Sequence, residues 1–465
     1  MNIIRDKLHN YFFSIAVILG VVLIVFGPPM SVPDEQAHFL NAYSIADGQI
    51  FLQKSNDQLG KYFPKNVITF ANENGSKFLG IDSPKYNFKD YYYNSYLIAE
   101  NEGKVFYKYF NQNITPISYI FSSLGIFVGK ILLPQQYELP FNLLLFGRIF
   151  NFLFYVITIY FAIKITPYYK NTLFLLALMP MSVYLGASVS YDALLIPSAF
   201  LLFAYILKLR ESESILVKDI IIVCSILFIL FAVKQAYAHF VLVLLAIPVK
   251  SFDNRKRYYK IIFIAGLVCI IGFALGQINN LLAINIGQTV DEKITLQQQY
   301  LNNNIGIMIP LIIRSFMKYK LFYFNGIVGV FGQLDTNIPF TLIIIFAIIL
   351  LWVIIIDSCN AAKISINFKL LGIISLLIFI YFSFRAMYIN WTPLVESLYG
   401  NTITGIQGRY FIPTIPFVSA VFANNFFGKY SLNNKLLLYN TNLVYYTGIL
   451  FSVVTGLTII LRYWT

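Results

Sequence analysis

Apolar runs of about 20 residues recur along nearly the whole chain, and they restrict its fold more than any other feature. A helix of that length spans the hydrocarbon core of a bilayer at about 1.5 Å per residue. Only 12% of the 465 residues are charged, whereas 58% are hydrophobic. A water-soluble domain carries about 25% charged residues. The sequence therefore excludes a soluble enzyme, a disordered chain and a free nucleic-acid-binding protein, and it predicts a membrane protein that crosses the bilayer many times.

The basic residues indicate the orientation of the chain. The net charge is +13, and most basic side chains fall in short clusters between apolar runs, such as those at 208–218 and 250–260. Cytoplasmic loops carry an excess of lysine and arginine, so both clusters are placed inside. We expect one all-α polytopic domain over 1–465 with about eleven crossings. The expected spans lie at about 8–27, 141–165, 171–188, 191–207, 260–284, 339–357, 368–389, 409–427 and 442–461, with two short helices between 218 and 250.

This topology predicts two large segments on the extracytoplasmic face. The first, residues 28–140, is a long loop whose apolar stretch at 115–133 is expected to lie on the membrane surface or to re-enter the bilayer. The second, residues 285–338, contains an amphipathic basic stretch around Arg314 and Lys318 that suits an interfacial helix. The notable charges lie at outer helix ends, rather than deep in the spans where an ion relay would need them.

An acidic pair directly follows the first span. Asp34 and Glu35 are succeeded one turn later by His38. Acids in the first turn of a helix offset its dipole, which is the structural interpretation. The functional interpretation is that a carboxylate at the water–lipid boundary accepts a proton from a substrate hydroxyl, or holds a divalent cation.

Three further polar residues lie at outer ends of predicted spans. Arg148 is in the outer half of its span and needs a partner, for which Asp192 and a lipid phosphate are the candidates. Asp192 begins a helix, where it either caps the helix or serves a site on the same membrane face as Asp34. Lys234 lies at an outer turn, where it either snorkels to the interface or binds phosphate.

Two glycine-containing runs precede predicted spans near the C-terminal end. The run 329–339 contains Asp335, which is either a helix cap or a site residue. The run 405–413 contains Gln407, Arg409 and Tyr410. A cation is unfavourable at a helix start, and a bound anion would relieve this, so we expect Arg409 to bind phosphate.

Three of these runs together resemble a known family. They are Pro-Asp-Glu-x-x-His-Phe at 33–39, Gly-x-x-Gly-x-Leu-Asp-Thr-x-x-Pro at 329–339 and Gln-Gly-Arg-Tyr-x-x-Pro at 407–413. In this order they resemble the bacterial membrane family labelled domain of unknown function 2142, over nearly the whole chain. Gln333 stands where that family usually has a tryptophan.

That family is in turn similar to the GT-C glycosyltransferases, which use lipid-phosphate-linked sugars at an acidic pair in the first outer loop. The resemblance implies that Asp34 is the catalytic base, with Glu35 beside it. It implies an active site on the outer face of the bacterial cell membrane, a polyprenyl-phosphate sugar donor and a glycan or teichoic-type acceptor. The substrate-binding candidates are His38, Arg148, Asp192, Lys234, Asp335, Gln407, Arg409 and Tyr410.

Several alternatives stay open at this point. The sequence contains no recognisable metal-binding spacing, and dependence on Mg²⁺ or Mn²⁺ is undecided. A polysaccharide polymerase or ligase would use the same chemistry on lipid-linked glycans. A transporter or flippase of lipid-linked glycans belongs to a different class, as does a non-catalytic scaffold, and the broken apolar stretch at 218–250 would suit the former.

Overall fold

A computed structural model shows a predominantly helical protein with a few short strands. This agrees with the predicted class, a helical membrane protein. The structure describes residues 7–55, 58–77, 80, 85–87, 103–108, 115–285, 291–361, 364–423 and 434–464.

The N-terminal third contains the first apolar helix and most of the predicted first outer loop. The elements are α1 (Leu8–Phe26), α2 (Glu35–Ala46), β1 (Gln53–Ser55), β2 (Gln58–Pro64), α3 (Lys65–Lys77), β3 (Lys104–Lys108), a 3₁₀ turn (Pro116–Tyr119), α4 (Ile120–Leu132) and a second 3₁₀ turn (Gln135–Tyr137).

The central third is a series of helices, some of which are short or broken. They are α5 (Pro140–Ile165), α6 (Lys170–Ala177), α7 (Pro180–Gly186), α8 (Asp192–Glu211), α9 (Val217–Val233), the 3₁₀ helices Gln235–Ala246 and Val249–Phe252, α10 (Arg255–Gly276) and α11 (Ile278–Asn285).

The C-terminal third adds a small hairpin and the last apolar helices. Its elements are α12 (Glu292–Asn303), a 3₁₀ turn (Ile305–Ile307), α13 (Met308–Val328), β4 (Val330–Phe331), β5 (Thr336–Asn337), α14 (Phe340–Asn360), α15 (Ile366–Asn390), α16 (Thr392–Val395), the 3₁₀ segment Gly408–Thr414, α17 (Ile415–Ser419), a 3₁₀ turn (Ala420–Phe422) and α18 (Asn434–Tyr463).

Within the described part of the chain, seven helices are long and apolar enough to cross a membrane, namely α1, α5, α8, α10, α14, α15 and α18. Three regions expected to cross are shorter than the predicted spans. The 171–188 region is two short helices separated at Pro180, because proline cannot donate a backbone hydrogen bond to the preceding turn. The 218–250 region is α9 followed by a 3₁₀ helix, and 409–427 begins as short 3₁₀ and α pieces. The count of eleven crossings therefore stays a prediction.

The predicted first outer segment contains a small antiparallel sheet beside its helices. Strand β2 pairs with both β1 and β3, with Tyr62 opposite Phe106. This sheet was not predicted, because its strands are only three to seven residues long and β3 lies far along the sequence from the other two. The expected helices are present, and α4 packs closely on α5, since a side chain at Gly125 would overlap the carbonyl oxygen of Phe146. Residues 56–57, 78–79, 81–84, 88–102 and 109–114 of this predicted loop lie outside the described residues.

The predicted second outer segment contains the expected amphipathic helix. It is α13, on which Arg314 and Lys318 are exposed and donate to Asn401 and Thr402 respectively, both at 3.3 Å. The segment ends in the β4–β5 hairpin, where Val330 pairs with Asn337.

Helix α8 lies at the centre of the protein. Of its apolar window, 89% is buried inside the molecule, whereas the other six long helices have 22–56% buried. A helix that is apolar on every side is expected in such a position. Because Asp192 is its first residue, a carboxylate is held at one end of the most enclosed helix of the fold.

Candidate functional site

Four charged residues from distant parts of the sequence meet at one place. The guanidinium of Arg409 donates from Nη2 to Oδ2 of Asp34 at 2.8 Å, and its Nη1 lies 3.7 Å from Oδ2 of Asp192. The ammonium of Lys234 lies over the ring of Tyr410, 3.5 Å from its centroid. We call these five residues the Arg409 cluster. The structure therefore brings together four charged residues that the sequence places at helix ends far apart along the chain.

The position of Arg409 depends on the glycine before it. Gly408 packs so closely on α13 that a Cβ there would overlap the carbonyl oxygen of Tyr323. The next turn is held from the other side by Tyr237, whose hydroxyl donates to the carbonyl oxygen of Tyr410 at 2.8 Å. A glycine and a tight 3₁₀ turn therefore bring the arginine between α13 and the helix ends that carry the acids.

Asp34 is the exposed member of the cluster. It lies just before α2 in the left-handed backbone region, with φ of 65°. Its side chain is 60% exposed, whereas that of Arg409 is 1% exposed. Burial alone would raise the pKa of Asp34, but the charge and the hydrogen bond of Arg409, together with the charge of Lys234, outweigh it and lower the pKa below its ordinary value. Asp34 is therefore ionised at neutral pH.

His38 lies on α2 behind this acid. Its Nδ1 is 2.7 Å from the hydroxyl of Tyr119, and its ring makes an edge contact with Tyr191 at 4.9 Å between centroids. Burial lowers the pKa of His38 to about 4, against the opposing effect of Asp34. His38 is therefore neutral at physiological pH and contributes a hydrogen-bonding group rather than a charge.

Asp192 is held from within its own turn. The Ser190 hydroxyl donates to Oδ2 of Asp192 at 3.3 Å and accepts from the Asp192 backbone N–H at 3.2 Å. Asn151 on α5 donates to the carbonyl oxygens of Ser188 and Ser190, at 2.9 and 3.3 Å. Asp192 is thus both the helix-start residue of the structural interpretation and a neighbour of Asp34 across Arg409.

Lys234 has a buried ammonium group whose donors meet no acceptor among the described residues. Its Nζ is enclosed and has no hydrogen-bond partner among the described residues. Besides the ring of Tyr410, it lies 5.6 Å from the ring centroid of Tyr191. Burial lowers the pKa of Lys234 to about 8, opposed by Asp192 and Asp34. In the same part of the structure, Gln407 Oε1 and Arg409 Nε are also buried without a described partner.

Glu35 and Arg148 form a different, closed pair. Arg148 donates from Nε and Nη2 to the two carboxylate oxygens of Glu35 at 2.9 and 2.6 Å, and from Nη1 and Nη2 to the carbonyl oxygens of Gly27 and Pro28 at 2.7 and 2.8 Å. The backbone N–H of Val189 donates to Glu35 at 3.3 Å. The expected partner of Arg148 was Asp192 or a lipid phosphate, and this was wrong because Glu35 turns inward and takes up its donors.

Asp335 belongs to a separate group. It accepts from the backbone N–H of Gly80 at 3.0 Å and lies 3.8 Å from Arg462 on α18. Its neighbour Gln333 donates to the carbonyl oxygen of Met30 at 2.8 Å, which anchors the hairpin on the loop that follows α1. The run 329–339 therefore supports the loop before Asp34, and the described partners of Asp335 lie outside the Arg409 cluster.

Some residues of the site were not singled out from the sequence. Tyr191 contacts both His38 and Lys234, and its place beside Asp192 was the only local signal. Tyr119 had no signal, because it reaches His38 from a segment 81 residues away. Among the described residues, no group of three or more His, Cys, Asp or Glu side chains is arranged to hold a metal ion.

Comparison with known proteins adds a family to this geometry. A family model with the description "Predicted membrane protein (DUF2142)" matches residues 17–418 and so includes every candidate residue from Asp34 to Tyr410. No curated protein and no solved structure matches the chain. Because the family match covers well over half of the sequence, the protein belongs to the DUF2142 family of membrane proteins.

Proposed function

We propose that the protein is a GT-C-type glycosyltransferase that moves a sugar from a polyprenyl-phosphate donor to a cell-surface glycan or cell-wall polymer. The reaction takes place on the outer face of the bacterial cell membrane. The observation that carries this proposal is the meeting of Asp34, Asp192, Lys234 and Arg409 beside helix ends. An exposed carboxylate next to two buried cations supplies a proton acceptor and a phosphate-binding group in one place.

The reaction assigns one role to each side of the cluster. The hydroxyl oxygen of the acceptor attacks the anomeric carbon of the sugar, and its proton passes to the carboxylate of Asp34. The bond between that carbon and the phosphate oxygen breaks, and its electron pair leaves with the lipid phosphate. Lys234 and Arg409 offset the negative charge that develops on this leaving group. Asp192 holds Arg409 in place from the opposite side.

Burial favours phosphate as the anion for Lys234. A desolvated ammonium without a hydrogen-bond partner is costly, and an anionic oxygen removes that cost. The nearby aromatic faces of Tyr191 and Tyr410 hold the cation without neutralising it. An isoprenoid donor would keep its tail in lipid between helices, which gives a reason for a sugar-transferring site in so apolar a protein.

A reconstituted transfer assay tests this function. The full chain in liposomes receives a polyprenyl-phosphate-linked sugar and a glycan acceptor, and transfer is measured for wild type and Asp34→Asn. Loss of a general base should lower the rate by about 10²–10⁴-fold. Asp253→Asn is the matched control, because it removes an acid from an arginine pair with Arg257 away from the site. Full transfer by Asp34→Asn would show that Asp34 is not the base. Metal dependence is tested separately, by removing divalent cations with a chelator and then adding back Mg²⁺ or Mn²⁺.

A transporter or flippase of lipid-linked glycans is the second candidate. It is favoured by the short helices α6 and α7 on either side of Pro180 and by the 3₁₀ helix after Lys234, since broken helices are common in transporters. Movement of a lipid-linked sugar across vesicles without any sugar transfer would support it. A polysaccharide polymerase or ligase shares the proposed chemistry and differs in giving a product of many sugar units.

A further inference from the structure

Arg409 is a phosphate-binding candidate that is already occupied by an anion of the protein itself. Its guanidinium is 1% exposed and contacts two carboxylates, Asp34 at 2.8 Å and Asp192 at 3.7 Å. The second acid is as enclosed as the arginine, at 3% exposure. Of the two acids, only Asp34 is open to the outside.

A ligand from outside therefore meets Arg409 where the Asp34 carboxylate now lies. The contact between Nη2 and Oδ2 occupies one guanidinium donor, while Nη1 points to the carbonyl oxygen of Pro33 at 3.4 Å and to Asp192. On the inner side, Arg409 Nε and Lys234 Nζ are buried without a described partner. The two cations thus have buried donors without a described acceptor, and they lie beside an acid that is exposed.

The backbone of Asp34 is consistent with a residue held in place by its contact. A residue other than glycine in the left-handed region is uncommon, although aspartate and asparagine adopt it more readily than most. Such conformations cluster at functional sites and persist where surrounding contacts fix them. Asp34 follows Pro33 and directly precedes α2, so a change at this one residue redirects its carboxylate without unfolding the helix.

We infer that the Asp34 carboxylate occupies the phosphate position of the resting protein, and that the phosphate of the lipid-linked donor displaces it from Arg409. This inference rests on the proposed function and adds an order of events. The donor phosphate is attracted by Lys234, takes the guanidinium donor that Asp34 held, and frees the carboxylate to accept a proton. The carboxylate of Asp34 is therefore released only after the donor has bound, so the acceptor binds second.

The exchange predicts that removing the carboxylate strengthens phosphate binding. Isothermal titration calorimetry of the detergent-solubilised full chain with farnesyl phosphate gives the affinity. Asp34→Asn should bind about fivefold more tightly than wild type, the factor that corresponds to a competing ion pair of about 1 kcal/mol. Arg409→Gln should bind more weakly. Asp253→Asn, which also separates an acid from an arginine, should bind as wild type does.

The outcomes separate this inference from the proposed function. If wild type binds farnesyl phosphate and Asp34→Asn binds it equally or more weakly, the exchange is wrong and the transferase proposal stands. If wild type does not bind farnesyl phosphate, the donor proposal fails together with the exchange. Asp34→Gly repeats the test with a residue that adopts the left-handed backbone freely, and melting curves show that each variant is folded.

Discussion

Asp34 and Glu35 are neighbours in the sequence, yet each pairs with a different arginine in a different setting. Glu35 is fully buried and bound by two donors of Arg148, whereas Asp34 is 60% exposed and shares Arg409 with Asp192. In the first pair, all three nitrogens of the Arg148 guanidinium donate to acceptors within the protein. In the second pair the acid is exposed, and the buried Nε of Arg409 has no described hydrogen-bond partner. The comparison teaches that exposure and unpartnered buried donors, rather than residue type, distinguish the closed pair from the pair to which we assign the chemistry.

The largest effect is expected from breaking the closed pair. Arg148→Gln leaves the buried carboxylate of Glu35 without its partner and should lower the free energy of unfolding by about 3–5 kcal/mol. Asp34→Asn removes an exposed partner and should lower it by no more than about 1 kcal/mol. Thermal melting in detergent and the yield of monodisperse protein measure both. Equal losses for the two variants would show that the pairs do not differ as described.

A smaller effect is expected from displacing Arg409 while leaving its chemistry intact. Gly408→Ala introduces a methyl group where the carbonyl oxygen of Tyr323 lies, so the 3₁₀ turn must shift. A misplacement of about 1 Å can lower a rate by about 100-fold, and we expect a transfer defect of that size. Gly266→Ala is the matched control, because no described atom lies within 4 Å of a Cβ built there. Unchanged transfer by Gly408→Ala would show that the position of Arg409 is not critical.

The smallest effect is expected from pH, and it concerns the buried cation of the open site. Burial lowers the pKa of Lys234 to about 8. The ammonium is present below that pH and is lost as the pH rises through it, so kcat/KM, which reports the free enzyme, should fall above about pH 8. Lys234→Arg keeps its charge over this range and should remove the decline. A profile that is flat to pH 10 in the wild type would contradict a role for the Lys234 charge.

The sequence was sufficient to predict the membrane class and the meeting of the Arg409 cluster. Charge clusters in short loops fixed which helix ends share a face, and this brought Asp34, Asp192, Lys234 and Arg409 together without any knowledge of contacts. The partner of Arg148 could not be predicted in this way. Asp34 and Glu35 are adjacent, and the left-handed backbone that turns one outward and the other inward leaves no mark on hydropathy or charge.

Hydropathy and charge also do not predict the number of crossings or the small sheet, but for a different physical reason. Hydropathy does not distinguish one apolar helix from two short ones, and Pro180 decides the matter between α6 and α7. Strands of three to seven residues, such as β1 and β2, are specified by distant pairing rather than by local composition.

The hydrogen bonds of Arg148 have a consequence for what Asp34 can reach. The guanidinium of Arg148 donates to the carbonyl oxygens of Gly27 and Pro28 and to the side chain of Glu35. It therefore links the two ends of the loop between these residues. A loop whose two ends are joined by one side chain cannot open without breaking those hydrogen bonds. The movement of the Asp34 carboxylate away from Arg409 is thus confined to rotation about the bonds of Asp34 itself, because the loop around it is held at both ends.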